Sequence, residues 1–408
     1  MKLAIVGAGA SGLFAAMEAA KAGLLVSVYE KNPKVGRKIL ATGNGRCNIT
    51  NRTISTSYYH SQKPSFINAT LSRFSSAQCV EYFRELGLEV VEGENGRLYP
   101  MNQQSSSVVD MLVHECTRLG VTFFVQSEVS RIEKVGHQFS LHVNNEKNLV
   151  DFCLIATGGL AMPTLGSCES GYIFAKAFGH KIVPTHPSLV QLVCEDKAIK
   201  ELSGVKIFGS IEVFVEGESR KKVEGDILFT SYGISGSAVL EVSREVAHAF
   251  TCKEDVFVMI DLMPHFSKDK LENLLQKRLQ YATDKSLPFW LEGLINKKLA
   301  PFIIILSGLK NILKASSLGE KEVKKLAFTL KSIKLRVSDT KGFASAEATA
   351  GGVDVNEIDP QTFESKLVKN LYFSGEVLDV DGDCGGYNLH FAWGSGYIAG
   401  NEMGKRKK

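Results

Sequence analysis

The sequence predicts an α/β fold in which a Rossmann-like domain is assembled from both ends of the chain and interrupted by an inserted domain of mixed β-barrel and helical character. Three observations carry that prediction. At the N-terminus an apolar strand runs into a Gly-x-Gly-x-x-Gly turn at Gly7, Gly9 and Gly12. Near the C-terminus a second glycine-rich word, Gly375 to Asn388, leads into a helix. Between them, from about residue 188 to 339, the chain alternates strand and helix patterns with no phosphate-type glycine fingerprint. The expected domains are therefore 1–187 together with 340–408, and 188–339.

Composition supports this division. At 408 residues the chain exceeds what one hydrophobic core organises, and 44% hydrophobic with 23% charged residues is ordinary for a globular protein. Lys and Arg number 48 against 44 Asp and Glu, a net charge of +4 that gives no reason to expect nucleic acid as a partner. The eight cysteines include no Cys-x-x-Cys pair, which argues against a zinc site, a dithiol motif and a secreted disulfide framework. Glycines interrupt the apolar N-terminus and Glu18 and Lys21 follow, so it reads as a strand entering a helix rather than a leader. The run Phe302 to Leu306 is far short of the roughly 20 residues that cross a bilayer. A soluble, cytoplasmic protein is expected, with no metal and no membrane partner; the basic tail Lys405 to Lys408 reads as a solvated terminus, and oligomeric state is left open.

Leu3 to Val6 has the continuous apolar character of a central parallel strand. Gly7 permits the tight turn, Gly9 lets the backbone approach a pyrophosphate, and Gly12 lets helix and strand pack closely. Ala10 and Ser11 lie at the start of the helix, whose unpaired N–H groups and positive dipole end face the phosphates. After Gly23 a second strand, Leu24 to Tyr29, ends at Glu30, with Lys31 next. Glu30 stands 23 residues beyond the first glycine, near the roughly 20 of a carboxylate that accepts from an adenosine ribose, and its charge disfavours a 2′-phosphate.

The segment Gly36 to Asn51 departs from a plain dinucleotide fold. Arg37 and Lys38 suit a diphosphate, the backbone of Gly43 and Asn44 suits a flat ring, and Asn48 suits a ring edge. Farther on, Glu128 to Ile132 alternates as a strand, and Phe152 to Ile155 ends in Ala156, Thr157, Gly158 and Gly159. At the C-terminal end Leu371 to Phe373 precedes Ser374, Gly375 and Glu376, a carboxylate placed to meet ribityl hydroxyls. Gly385 and Gly386 then open a helix at Tyr387 and Asn388, presenting N–H donors suited to a flavin pyrimidine edge. A ligand held by both chain ends must be long, which points to FAD.

These words resemble the bacterial flavoprotein family of BaiN-like reductases and aminoacetone oxidase. The matching stretches are Gly36 to Lys38, Thr42 to Asn51, Ala156 to Gly159, Phe229 to Gly236 and Gly375 to Asn388, spread over nearly the whole chain. The resemblance implies a glutathione-reductase-like FAD domain. By it Val129 inherits an adenine-edge backbone contact, Thr157 and Gly158 a turn beside the pyrophosphate, and Asp379 the acid of the Gly-Glu-Val-Leu-Asp word. The resemblance implies a polar Gln in many relatives where His390 stands, which leaves the role of His390 open.

In the middle region Val205 to Val215 and Val256 to Leu262 read as antiparallel strands, and Ile234 to Ala247, Lys268 to Ala282 and Lys321 to Ile333 as helices. This domain is expected to roof the flavin and shape a small-molecule pocket. Tyr387 is a possible proton donor, Cys47, Cys384, His186 and His390 read as structural, and no catalytic residue is assigned. The expected activity is FAD-dependent hydride transfer to or from a small organic substrate, with NADH or NADPH as transient reductant. An amine-type oxidase using O2 and a non-catalytic flavin-binding regulator stand as alternatives.

Overall fold

The computed structural model describes residues 1–406; Lys407 and Lys408 of the basic tail lie outside the described residues. The chain divides into two compact units, Met1–Pro187 with Ala346–Lys408, and Ser188–Ser345.

The first unit is built on five parallel strands in the order Leu371–Phe373, Phe152–Ile155, Lys2–Val6, Leu25–Tyr29, Thr122–Phe124. Val6 is level with Ile155 on one side and Tyr29 on the other, so the central strand and both neighbours reach their carboxyl ends together. In open parallel sheets ligands bind outside those ends. The edge strand Leu371–Phe373 comes from the C-terminal part of the chain and lies beside Phe152–Ile155, so the sheet needs both ends of the sequence.

Helix Ala10–Lys21 follows the glycine turn and is buried along nearly its whole length. Helix Tyr387–Lys405 lies against it without intervening side chains: a Cβ on Gly396 would sit 2.1 Å from Ser11 O, and one on Gly400 2.6 Å from Ala15 O. Around this pair Phe14 stacks on Tyr82 at 4.7 Å and packs on Trp393 at 4.8 Å, and the Trp393 indole N–H donates to Ile49 O at 3.0 Å. An antiparallel three-stranded sheet, Val129–Val135, Gln138–Val143 and Glu146–Val150, completes the unit's β structure outside the parallel sheet together with short pairings.

The second unit is a closed six-stranded barrel with a helical appendage. Around the barrel run Leu192–Cys194, Gly233–Ser235, Glu218–Phe229, Lys206–Val215, Val256–Asp261 and Ile333–Thr340, all antiparallel. Closure leaves no edge strand to be covered. The stretch read as a helix from Ile234 divides in two: Gly236 takes φ +102° with its Cβ position 2.4 Å from Asp226 O, which ends a barrel strand and starts helix Ser237–Thr251 one turn later than the hydrophobic spacing suggests. The appendage contains helices Lys268–Leu279, Leu287–Glu292, Leu299–Leu306 and Glu320–Lys331. The apolar run at Phe302 falls in an eight-residue helix, and among the described residues no helix is long and apolar enough to cross a membrane.

Candidate cofactor site

An open cleft of about 930 Å3, the solvent at its mouth included, lies in the first unit. It is lined by the glycine turn Gly7 to Ser11, by Glu30 and Asn32, by Gly36 to Ile39, by Ala156 to Gly158 and by Glu376, Asn388 and Ala392. A smaller cavity continues from it past Glu30, Lys31, Val129 and Cys168, sharing Gly7, Glu30, Thr157 and Gly166. The two together form one elongated furrow along the carboxyl ends of the strands.

The three glycines of the turn do different work. Gly7 has φ +108° and its Cβ position is 2.4 Å from Ala156 O; Gly12 would meet Gly7 O at 2.1 Å. Both are demanded by the protein's own packing. At Gly9 nothing lies within 4 Å of the Cβ position, so a side chain there would fill only the cleft. Gly9 thus leaves room for something other than protein.

Glu30 is held by its neighbours. Its Oε2 accepts from Ala8 N–H at 3.1 Å, and its Oε1 accepts from the backbone and side-chain N–H groups of Asn32 at 2.8 and 2.6 Å. Arg37 donates to Asn32 Oδ1 at 2.7 Å and to Thr164 O at 3.0 Å, so the guanidinium is anchored beside the turn. Lys38 spans the furrow to Glu376 Oε2 at 2.6 Å. Glu376 Oε1 accepts from Thr349 N–H at 2.8 Å, and Thr349 Oγ1 accepts from Leu160 and Ala161 N–H at 2.8 and 3.0 Å. Four separated segments are tied together through this relay. Glu347 opens to the cleft, yet the protein crowded around it raises its carboxyl above the ordinary range, against the pull of Arg97 and Lys38.

Other residues singled out in the sequence, Asn388 apart, are not part of the cleft's lining. Gly43 and Asn44 both have positive φ and form the loop above Asn48, whose Oδ1 is buried with no hydrogen-bond partner. That orphan lies 2.9 Å from the Cβ position of Gly386, the residue that caps helix Tyr387–Lys405 with φ +96°. Gly385 O accepts from Asn51 Nδ2 at 3.0 Å, and Gly375 N–H donates to Ser395 Oγ at 2.9 Å. Asn388 is fixed to the Gly382 backbone by two hydrogen bonds of 2.7 and 2.8 Å. Asp379 is buried, accepts from Gln62 N–H at 3.0 Å and is not part of the lining; of the two acids in the Gly-Glu-Val-Leu-Asp word, Glu376 is the one that lines the cleft.

Tyr387 is not placed as a proton donor in the cleft. It is 5% exposed, stacks on Tyr58 at 4.5 Å and meets Tyr59 edge-on at 5.9 Å. His390 is wholly buried, with Nε2 2.9 Å from Phe74 O and Nδ1 2.9 Å from Thr50 Oγ1. A carbonyl only accepts, so Nε2 carries the proton and Nδ1 accepts from the Thr50 hydroxyl. Burial pushes this imidazole down to about 4, which keeps it neutral. Burial likewise pushes the Cys47 thiol up to about 12. Cys168, at the far end of the furrow, differs. Burial alone would raise it, but hydrogen bonds from Lys31 and Ser170 outweigh that and leave it below the ordinary thiol value.

Sequence reasoning passed over Asn32, Lys34, Leu165 to Ser167 and Glu347, all of which line the cleft. An amide two residues after Glu30 was a usable signal, since Asn bonds readily to nearby backbone and side-chain groups. For the Leu165 loop only a Pro and a Gly marked a turn, and nothing local tied it to the glycine fingerprint.

The furrow fits FAD on an observation independent of any likeness: Gly9 offers a cradle that any Cβ would fill, at the start of a helix and in the same lining as the Glu30 carboxylate. The family model described as HI0933-like protein Rossmann domain matches residues 1–402. The chain belongs to the HI0933-like family. That makes it a Rossmann-type flavoprotein oxidoreductase, a member of the group its sequence words resemble. It is 33% identical over 407 residues to a 3-dehydro-bile acid delta(4,6)-reductase of Clostridium scindens, covering 99% of each chain. It is 35% identical to a ribosomal RNA dihydrouridine synthase of Haemophilus influenzae, covering 96% of each, and 34% identical to the Escherichia coli protein of that name, covering 98% and 97%. The fold is that of the 3-ketosteroid delta1-dehydrogenase of Sterolibacterium denitrificans, with a TM-score of 0.51 at 14% identity over 99% of both chains.

Proposed function

We propose that this member of the HI0933-like family is an FAD-dependent reductase that saturates a carbon–carbon double bond conjugated to a carbonyl, with NADH or NADPH as reductant. One observation carries the reading. Relatives matched over essentially their full length bear names that differ in substrate but agree in bond: a 3-keto-4,6-diene in one, a uracil ring in the others. As chemistry, both are enone-type acceptors whose alkene takes up a hydride and a proton.

Bound FAD supplies the hydride chemistry. The chain's residues supply the rest. The N–H groups at the start of helix Ala10–Lys21 face the furrow and suit a pyrophosphate, with Arg37 anchored nearby. Glu30 is positioned to exchange its contacts with Ala8 and Asn32 for a ribose diol. The Lys38–Glu376 pair fixes the middle of the furrow, and these two side chains would hold the diphosphate and the ribityl hydroxyls of FAD. The chain has no second glycine fingerprint, so a nicotinamide nucleotide would bind transiently at the flavin face, the alternative being electrons from another donor.

The test is to record the visible spectrum of the purified protein, then follow the flavin band without oxygen on adding NADH or NADPH, and finally offer a 3-keto-4,6-diene steroid or a uridine-containing RNA. The expected result is a yellow protein that bleaches within seconds and regains colour stoichiometrically with one conjugated acceptor. Bleaching by an amine with rapid recovery in air would make the protein an oxidase instead. A flavin inert to both would make it a regulator, and a colourless protein would overturn the FAD assignment.

A further inference from the structure

The net charge of the chain is unevenly held. The first unit carries 24 Lys and Arg against 24 Asp and Glu, and the second 24 against 20, so the whole +4 belongs to the barrel unit. Within it, residues 277–341 hold 14 Lys and Arg against five Asp and Glu, a local net of +9. The excess is concentrated on the helical appendage and the strand that follows it.

Helix Glu320–Lys331 shows how it is displayed. Val323, Leu326, Ala327 and Leu330 are buried in the unit's core, while Lys321, Lys324, Lys325 and Phe328 are exposed, Phe328 to 58%. Positions 321, 324, 325 and 328 follow the i, i+3, i+4, i+7 spacing of a single helix face. Lys324 pairs with Glu320 at 2.6 Å, and Lys321 and Lys325 have no ionic partner among the described residues. Lys334 is exposed on the next strand, and Lys310 and Lys314 are exposed just before the helix.

We infer that this lysine face around Phe328 is a docking surface for RNA. Ammonium groups spaced along a helix match backbone phosphates without reading sequence, and an exposed phenyl among them offers a stacking platform for an unpaired base. A membrane-surface helix displays a broad apolar face flanked by basic residues; here one aromatic stands among three lysines, which is the reverse proportion. That the docked RNA is also a substrate for reduction rests on the reductase reading above; the docking itself does not.

The experiment uses the full-length holoprotein, a fluorescent uridine-containing RNA hairpin and, separately, vesicles of phosphatidylserine and phosphatidylcholine. RNA affinity is measured over a series of KCl concentrations for the parent, for K321E/K324E/K325E, for the milder K321Q/K324Q/K325Q, for F328A, and for K147E as an exposed basic control in the first unit. The charge-reversal variant should bind about tenfold or more weakly near physiological salt, with the slope of log affinity against log salt shallower by about 2. The Gln variant should fall in between, F328A should weaken binding with the slope unchanged, and K147E should match the parent. Flavin content and bleaching by NADH or NADPH should be the same in all, which also checks folding. A triple variant that binds RNA like the parent with the same slope overturns the docking surface, as does a parent that binds vesicles but not RNA. Loss of bleaching in the parent with RNA binding intact sinks the reductase reading and leaves the docking standing.

Discussion

At the residue scale the glycine turn separates two demands that look alike in sequence. Gly7 and Gly12 are required by atoms of the protein itself, whereas Gly9 faces only the cleft. Gly9→Val should therefore purify with little flavin yet melt as an apoprotein close to the parent's temperature, while Gly12→Val should lower the melting temperature outright; visible absorbance and thermal denaturation separate the two. Glu30→Arg should also lose flavin, since a cation there gives up the ribose contact and breaks the bonds to Ala8 and Asn32; a full flavin complement in the purified variant would refute the nucleotide assignment. His390 makes a pH prediction. The unfolded chain binds its proton near 6.5 and the native protein only near 4, so stability is full above pH 6.5 and falls as pH drops toward 4, by up to about 3 kcal/mol. In His390→Gln, whose amide can accept from Thr50 and donate to Phe74, this component of acid sensitivity should vanish from melting curves taken between pH 7 and 4.5.

At the scale of elements, the turn, the strands and the helix after Gly386 were legible because each is specified locally, by glycine placement and hydrophobic run. The contact between helices Ala10–Lys21 and Tyr387–Lys405 was not, although its signal stood in the sequence as Gly396, Gly400 and Gly404, spaced every four residues. Small residues at that spacing let two backbones approach, but nothing local says which helix fills the groove. Gly400→Ala pushes a methyl to 2.6 Å from Ala15 O and should cost about 1–3 kcal/mol of stability, read as a lower melting temperature with flavin content falling in step. Tyr387 is the opposite case. Its place at a helix start beside two glycines suggested chemistry, and the aromatic neighbours that bury it, Tyr58 and Tyr59, lie more than 300 residues away in the chain.

At the scale of the whole molecule the two units obey different rules of assembly. The barrel unit is one continuous stretch with its own core and no open sheet edge, so residues 188–345 expressed alone should melt cooperatively and bind no flavin, by circular dichroism and absorbance. The +4 total concealed a neutral unit and a basic one, which is why charge counted over the full chain gave no hint of an anionic partner. The discontinuity has a further consequence in time. A ribosome emits the barrel's last residue while the strand Leu371–Phe373, the Lys38 partner Glu376 and the long terminal helix are still unmade. The barrel can close during translation, but the nucleotide furrow exists only once the strand, the carboxylate and the helix that follow the barrel in the chain have also been made, so flavin capture must wait for them.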